Sequence, residues 1–189
     1  MKRVMTLASV VAAALVVTVV PAAAGGKLKC FAGAPGVCTI NASTNGAYLD
    51  TTNGGYAGVY YSNGKSLSGS SLASVDFSFE YRCQPSNTDV TTCVAGGAPR
   101  WSIPIDTDGV RKTVEGYAFL DANSCGRTGV VSTAVPTCLV FFGSDMYANW
   151  DAFAAAHPTY TIASALPFVI VDVQTASPIN VYGVEIARS

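Results

Sequence analysis

Few side chains in this sequence have the type and spacing to carry chemistry. There are three glutamates, Glu80, Glu115 and Glu185. Glu80 and Glu115 both fall in stretches with strand character. Two carboxyls facing each other across a cleft can hydrolyse a glycosidic bond, one as acid and the other as nucleophile or base. Asp106-Thr107-Asp108-Gly109 has the D-x-D-G opening of a calcium loop, in which carboxylate oxygens converge on a hard cation around a tight glycine turn. No glutamate follows where such a loop would supply its bidentate ligand. Asp106 and Asp108 therefore read first as a hairpin turn closed by Asp-Gly, and only second as a calcium site. Asp121 does not complete that site. If residues 100–106 and 113–120 form a hairpin, Asp121 sits near residue 99, roughly 23 Å from the loop at ~3.3 Å per residue. His157 is the only imidazole. It stands just before Pro158 at the end of a predicted helix, where it reads as a C-terminal capping residue and not as a catalytic base. No G-x-S-x-G supplies a serine nucleophile.

The six cysteines point to structure. Cys30, Cys38, Cys83, Cys93, Cys125 and Cys138 form three sequential pairs, each enclosing a short stretch rich in turn-formers. No pair has C-x2-C spacing and there is only one histidine, so a thiolate metal site is disfavoured. An even count in an exported chain implies disulfides, and spacing favours Cys30–Cys38, Cys83–Cys93 and Cys125–Cys138 among the 15 possible pairings. Loops of this size each contribute roughly 2–3 kcal/mol on a chain-entropy estimate. No cofactor is expected beyond the secondary calcium reading.

Export itself is read from residues 1–24. Lys2 and Arg3 precede the apolar run Val10–Val20, and Ala22-Ala23-Ala24 supplies a small-residue cleavage site. The remaining 165 residues carry 9 basic and 12 acidic side chains, and 57 of them are Gly, Ser, Thr or Asn. A slightly acidic chain has no means of holding a phosphate backbone, so a nucleic-acid partner is excluded. No later apolar run approaches the ~20 residues a spanning helix needs, so no membrane span is expected once the leader is removed.

The elements that must position these residues are mostly strands. In Val75–Cys83, apolar side chains alternate with Asp76, Ser78, Glu80 and Arg82, which is the period of a half-buried strand. Arg100–Ile105 repeats the pattern with Trp101, Ile103 and Ile105 inward, and Pro104 places an edge or a bulge there. Further strands are expected at 56–61, 113–120, 137–142, 168–173 and 179–186, with a bulge at Gly183. One helix is expected near 145–157, capped by Ser144 and stopped by Pro158, with Met146, Trp150, Phe153 and His157 along one face. Short strands between turn-rich segments at intervals of roughly 8–15 residues describe an all-β, jelly-roll-like antiparallel sandwich, a single domain over 25–189.

Two resemblances follow. Phe79-Glu80-Tyr81 and Val114-Glu115-Gly116-Tyr117 are similar to the glutamate motifs of small jelly-roll xylanases, with Asn149-Trp150 in the helix, and imply a glycoside hydrolase acting through Glu80 and Glu115. The Glu115-Gly116-Tyr117 element precedes the helix here where in that family it follows it, and the chain has only Trp101 and Trp150 where that family has a tryptophan-rich cleft. The run Gly96–Ile105, the run Tyr117–Ala122 with Cys125, and Tyr147–Phe153 with Pro158 and Tyr160 resemble exported bacterial proteins of unassigned function. That resemblance implies a shared β-sandwich and no particular activity.

From the residues themselves, the leading expectation is a secreted, non-catalytic module that binds polysaccharide or cell-surface material. Tyr60-Tyr61 is its candidate contact, because adjacent strand residues face opposite ways and one ring must leave the core. A structural or adhesive envelope protein is the alternative, with the paired-glutamate hydrolase behind it.

Overall fold

The computed structural model describes residues 27–62, 67–110 and 113–188; the proposed leader lies outside them. Thirteen strands follow one another among the described residues: β1 (Leu28–Gly33), β2 (Val37–Asn41), β3 (Gly46–Asp50), β4 (Tyr56–Tyr61), β5 (Val75–Cys83), β6 (Arg100–Asp106), β7 (Gly116–Asp121), β8 (Val130–Ser132), β9 (Val140–Phe142), β10 (Asp145–Tyr147), β11 (Thr161–Ile162), β12 (Phe168–Val171) and β13 (Ile179–Arg188). The helix α1 (Trp150–Ala156) lies between β10 and β11. The larger sheet runs β1-β4-β12-β6-β7-β9-β10, with β11 paired to β6, and the smaller runs β2-β3-β13-β5-β8. Both are antiparallel and packed together as an open sandwich rather than a closed barrel, the architecture expected from the alternation. No helix among the described residues is long and apolar enough to cross a membrane.

The core forms where the inward parity of each strand is apolar. β5 alternates strictly, burying Val75, Phe77, Phe79, Tyr81 and Cys83. Trp101 of β6 meets it from the opposite sheet, with its ring centroid 5.4 Å from Phe77 and 6.1 Å from Phe79. Trp150, the first residue of α1, enters the same cluster 5.8 Å from Phe77 and donates from Nε1 to the Leu72 carbonyl at 3.0 Å. Trp101 Nε1 is buried with no hydrogen-bond partner among the described residues.

The three disulfides pair as the spacing predicts. Cys30–Cys38 joins β1 to β2 and so ties an edge of the larger sheet to an edge of the smaller. Gly183, at φ +50°, lies within the register shift between Tyr182 and Glu185, at the position read as a bulge. The freed Val184 carbonyl accepts from Asn45 Nδ2 and from the Tyr61 hydroxyl.

Several elements depart from their sequence-based expectation for local reasons. The helix begins at Trp150, capped by Asn149, whose side chain accepts from the Ala152 amide at 2.8 Å. Ser144 instead shares the Gly143-Ser144 turn between β9 and β10, with Phe142 opposite Asp145. Gly143 takes the positive φ that a two-residue hairpin turn favours. Met146 is therefore a strand residue. Pro104 lies on a central strand, not an edge. Its missing N–H falls where the partner of β6 changes from β12 to β11, and its carbonyl accepts from Ala163. The strands expected at 113–120 and 137–142 begin later, at Gly116 and Val140.

The two tryptophans make a matched test. Trp150→Phe strands the Leu72 carbonyl and should cost about 1–3 kcal/mol more than Trp101→Phe, which removes an unpaired donor; equal losses in chemical denaturation would contradict these roles. Cys30 and Cys38 are only partly buried, whereas the other four cysteines are at most 1% exposed. Stepwise reduction with alkylation should therefore open Cys30–Cys38 first. Earlier labelling of Cys83 or Cys125 would show the opposite.

Candidate ligand-binding face

The solvent faces of the two sheets are built from different residues. On the smaller sheet the outward parity is mostly polar, with Thr39 on β2, Tyr48 and Asp50 on β3, Asn180 and Tyr182 on β13, and Asp76, Ser78, Glu80 and Arg82 on β5, and with Val37 and Val130 as apolar exceptions. The larger sheet has no such alternation. Tyr117 and Phe119 point outward from β7 while Ala118 and Leu120 are buried, and Phe168 and Ile170 point outward from β12 while Val169 and Val171 are buried. Both parities are apolar, so this sheet faces solvent with aromatic rings.

Strand register aligns those rings. Lys29, Tyr60, Phe168, Ser102, Phe119, Phe141 and Met146 are successive cross-strand partners from β1 to β10. Directly paired residues share a face and lie about 5 Å apart, so the row from Tyr60 to Phe141 spans roughly 19 Å at ~4.8 Å per strand. A second row contains Phe31, Gly58, Ile170, Arg100 and Asp121. The rings touch: Phe31 lies 5.6 Å from Phe168 and 6.1 Å from Tyr60, and Tyr117 lies 5.7 Å from Phe168 and stacks on Phe119. Glycine permits the close approach at Gly58, where a Cβ would come within 2.4 Å of Phe31 Cζ. Phe31, Tyr60, Leu166 and Phe168 line an open hollow of about 280 Å³. At the other end Arg100 forks onto the Asp172 carboxylate and lies 5.0 Å over the Phe119 ring.

The structure separates the two candidate tyrosines. Tyr60 is half-buried on the aromatic face. Tyr61 points inward, is 7% exposed and spends its hydroxyl on Asn45 and the Val184 carbonyl. Burial raises the Tyr61 phenol above its ordinary range. Tyr61 is thus a core residue, contrary to the expectation that named it beside Tyr60. Phe31, Phe168, Tyr117, Phe119 and Phe141 were not singled out as contacts from the sequence, although apolar residues on both parities of β7 and β12 signal a second covered or sticky face.

The remaining candidates do not converge. Glu80 projects from the polar face of the smaller sheet beside Arg82 at 3.5 Å. Glu115 precedes β7 of the larger sheet and accepts from the Thr107 amide and hydroxyl. The two carboxyls belong to different sheets and share no cleft. Asp106 is fully buried. Its Oδ1 accepts from the Asp108 and Gly109 amides, and its Oδ2 lies 3.4 Å from the Thr161 hydroxyl. Asp108 accepts from the Val110 amide. These contacts make Asp106 and Asp108 the staples of the β6–β7 turn, and no group of three or more possible metal ligands occurs among the described residues. His157 is the C-cap of α1, stacked on Tyr160 at 4.2 Å and joined through Nε2 to the Tyr147 hydroxyl. Arg100 stands opposite Asp121 in register, yet its ion pair is with Asp172.

Asp106→Ala leaves two amides without their acceptor and should lower stability by about 1–3 kcal/mol, equally in calcium and in chelator. A calcium-dependent rise in the wild-type melting temperature would contradict the turn-staple role. Comparison of the chain with protein-family profiles, with curated proteins and with solved structures finds no match in any of the three.

Proposed function

We propose that this chain is an exported, non-catalytic module that binds glycan or cell-surface polysaccharide on the outer face of its larger sheet. The observation carrying this reading is the contrast between the two solvent faces, one mostly polar and one carrying a cluster of touching rings, Phe31, Tyr60, Phe168, Tyr117 and Phe119, with few charges. A sugar ring has an apolar C–H face edged by hydroxyls. Aromatic side chains can cover that face while hydroxyls stay in water or meet a few polar groups, as in binding sites generally. A face this apolar on a chain this rich in polar turn residues is not ordinary surface. The low charge fits a neutral polymer better than a phosphate-bearing one.

The alternative is a structural or adhesive envelope protein that buries the same face against protein. It is favoured by the phenylalanines outnumbering the tyrosines along the central row and by the exposed Met146 at its end. Sedimentation and pull-down on insoluble polysaccharides separate the two readings. The double variant Phe31→Ala/Tyr60→Ala should lose about tenfold in polysaccharide retention, at roughly 0.5–1.5 kcal/mol per stacked ring, while Glu80→Gln on the opposite face loses nothing. No retention by any polysaccharide, together with concentration-dependent self-association, would replace the glycan reading with the envelope one.

A further inference from the structure

The end of the aromatic face at β6, β7 and β9 contains a second hollow, of about 260 Å³, lined by Gly96, Gly97, Arg100, Phe119, Asp121 and Phe141. Its polar groups are unequally satisfied. The Arg100 charge is met by the forked contact to Asp172, so this pair is neutral overall. Asp121 is only 9% exposed. Its Oδ1 accepts from the Ser124 amide at 2.7 Å, which holds the turn after β7. Its Oδ2 accepts no hydrogen bond among the described residues and lies over Gly97, where a Cβ would stand 3.1 Å from it. The side chain is largely buried, yet Oδ2 itself opens into the hollow, where it is the acceptor that a donor entering from solvent would meet. The wall over it is bare backbone: Gly96 and Gly97 take φ of +52° and +83°, a conformation that also keeps side chains out of the hollow. An open acceptor on a largely buried side chain therefore stands beside the half-buried Phe141 ring.

We infer that this hollow is the anchoring subsite of the glycan face, and that it selects neutral sugars over acidic ones. The inference rests on the glycan reading above. A single ring enters with its C–H face against Phe141, and its hydroxyls donate to Asp121 Oδ2; Phe119, covered by Arg100 and stacked on Tyr117, bounds the hollow at its side. Counted with Asp172, which holds Arg100 from outside the lining, the three charged groups sum to one negative charge, and Asp121 is the carboxylate that opens into the hollow. A uronate or sulfate would meet that charge at short range in a partly desolvated site, where like charges repel strongly. The remaining rings along the row, from Ser102 toward Tyr60, carry further residues of the chain by stacking without such selection.

Asp121→Asn tests this, since its side-chain oxygen can keep the Ser124 contact while the open acceptor becomes a donor. Calorimetric titrations would use hexasaccharides of glucose, xylose and mannose as neutral probes and oligogalacturonate as the acidic one. The wild type should bind at least one neutral probe and exclude oligogalacturonate. Asp121→Asn should lose at least tenfold for the neutral probe and gain measurable binding of the acidic one. Phe141→Ala, at a half-buried surface position, gives the same neutral-probe readout independently of the Asp121 turn and should lose several-fold. If Asp121→Asn and Phe141→Ala bind like wild type while Phe31→Ala/Tyr60→Ala does not, the subsite is wrong and the glycan face stands. Preference of the wild type for oligogalacturonate would also overturn the subsite, and failure to bind any of the four probes would overturn both.

Discussion

Trp101 held against Phe77 and Phe79 is the contact on which the arrangement of the two sheets depends. It sits on β6, a strand flanked on both sides, and its ring reaches across to the middle of β5. A buried tryptophan removes roughly 150–250 Å² from water and fixes ring geometry as well as area, so the contact sets both the separation of the sheets and their rotation about one another. Trp150 extends the cluster from α1. The disulfide between Cys30 and Cys38 closes the corner where an edge of the larger sheet meets an edge of the smaller.

Fixing Trp101 inward also fixes what lies outward. Its neighbour Ser102 must face the other side of the sheet, and register sets Phe168 and Phe119 on either side of it. Ser102 is 1% exposed with its hydroxyl unpaired, so the rings beside it form a closed surface over β6. The apolar face is thus a consequence of where the core holds β6 together with the composition of β7 and β12. Its charged end carries an open acceptor at Asp121 and an Arg100 paired with Asp172. The smaller sheet, with Glu80 and Arg82 paired on its outer face, is ordinary solvated surface by comparison.

Much of this was legible in the residues. The alternation of β5, the bulge at Gly183 and the three short-range disulfides were, because each is a local signal: parity, a glycine freed from φ < 0, and a small loop between cysteines. The helix start was misread because Ser144 and Asn149 are both good caps, and only the pairing of Phe142 with Asp145 decides between them. Pro104 reads as an edge or a bulge because sequence does not reveal that β6 changes partner beside it. The aromatic face was half legible. Tyr60-Tyr61 guaranteed one outward ring, but parity alone could not say which, and the row across seven strands exists only in the register of long-range pairs. Asp121 was dismissed correctly as a partner of Asp106, and its own hollow depends on Gly96, Gly97 and Phe141, which come together only in the folded chain.

The central claim is that the outer face of the larger sheet is a recognition surface and the outer face of the smaller sheet is not. Amide chemical-shift mapping on the isotope-labelled protein, titrated with a mixture of soluble xylose, glucose and mannose hexasaccharides, tests it most directly. The account predicts shifts concentrated at Tyr60, Phe168, Ser102, Phe119 and Asp121, with Tyr48, Glu80, Arg82 and Tyr182 unmoved. Shifts confined to those last four, or none on either face, would contradict it.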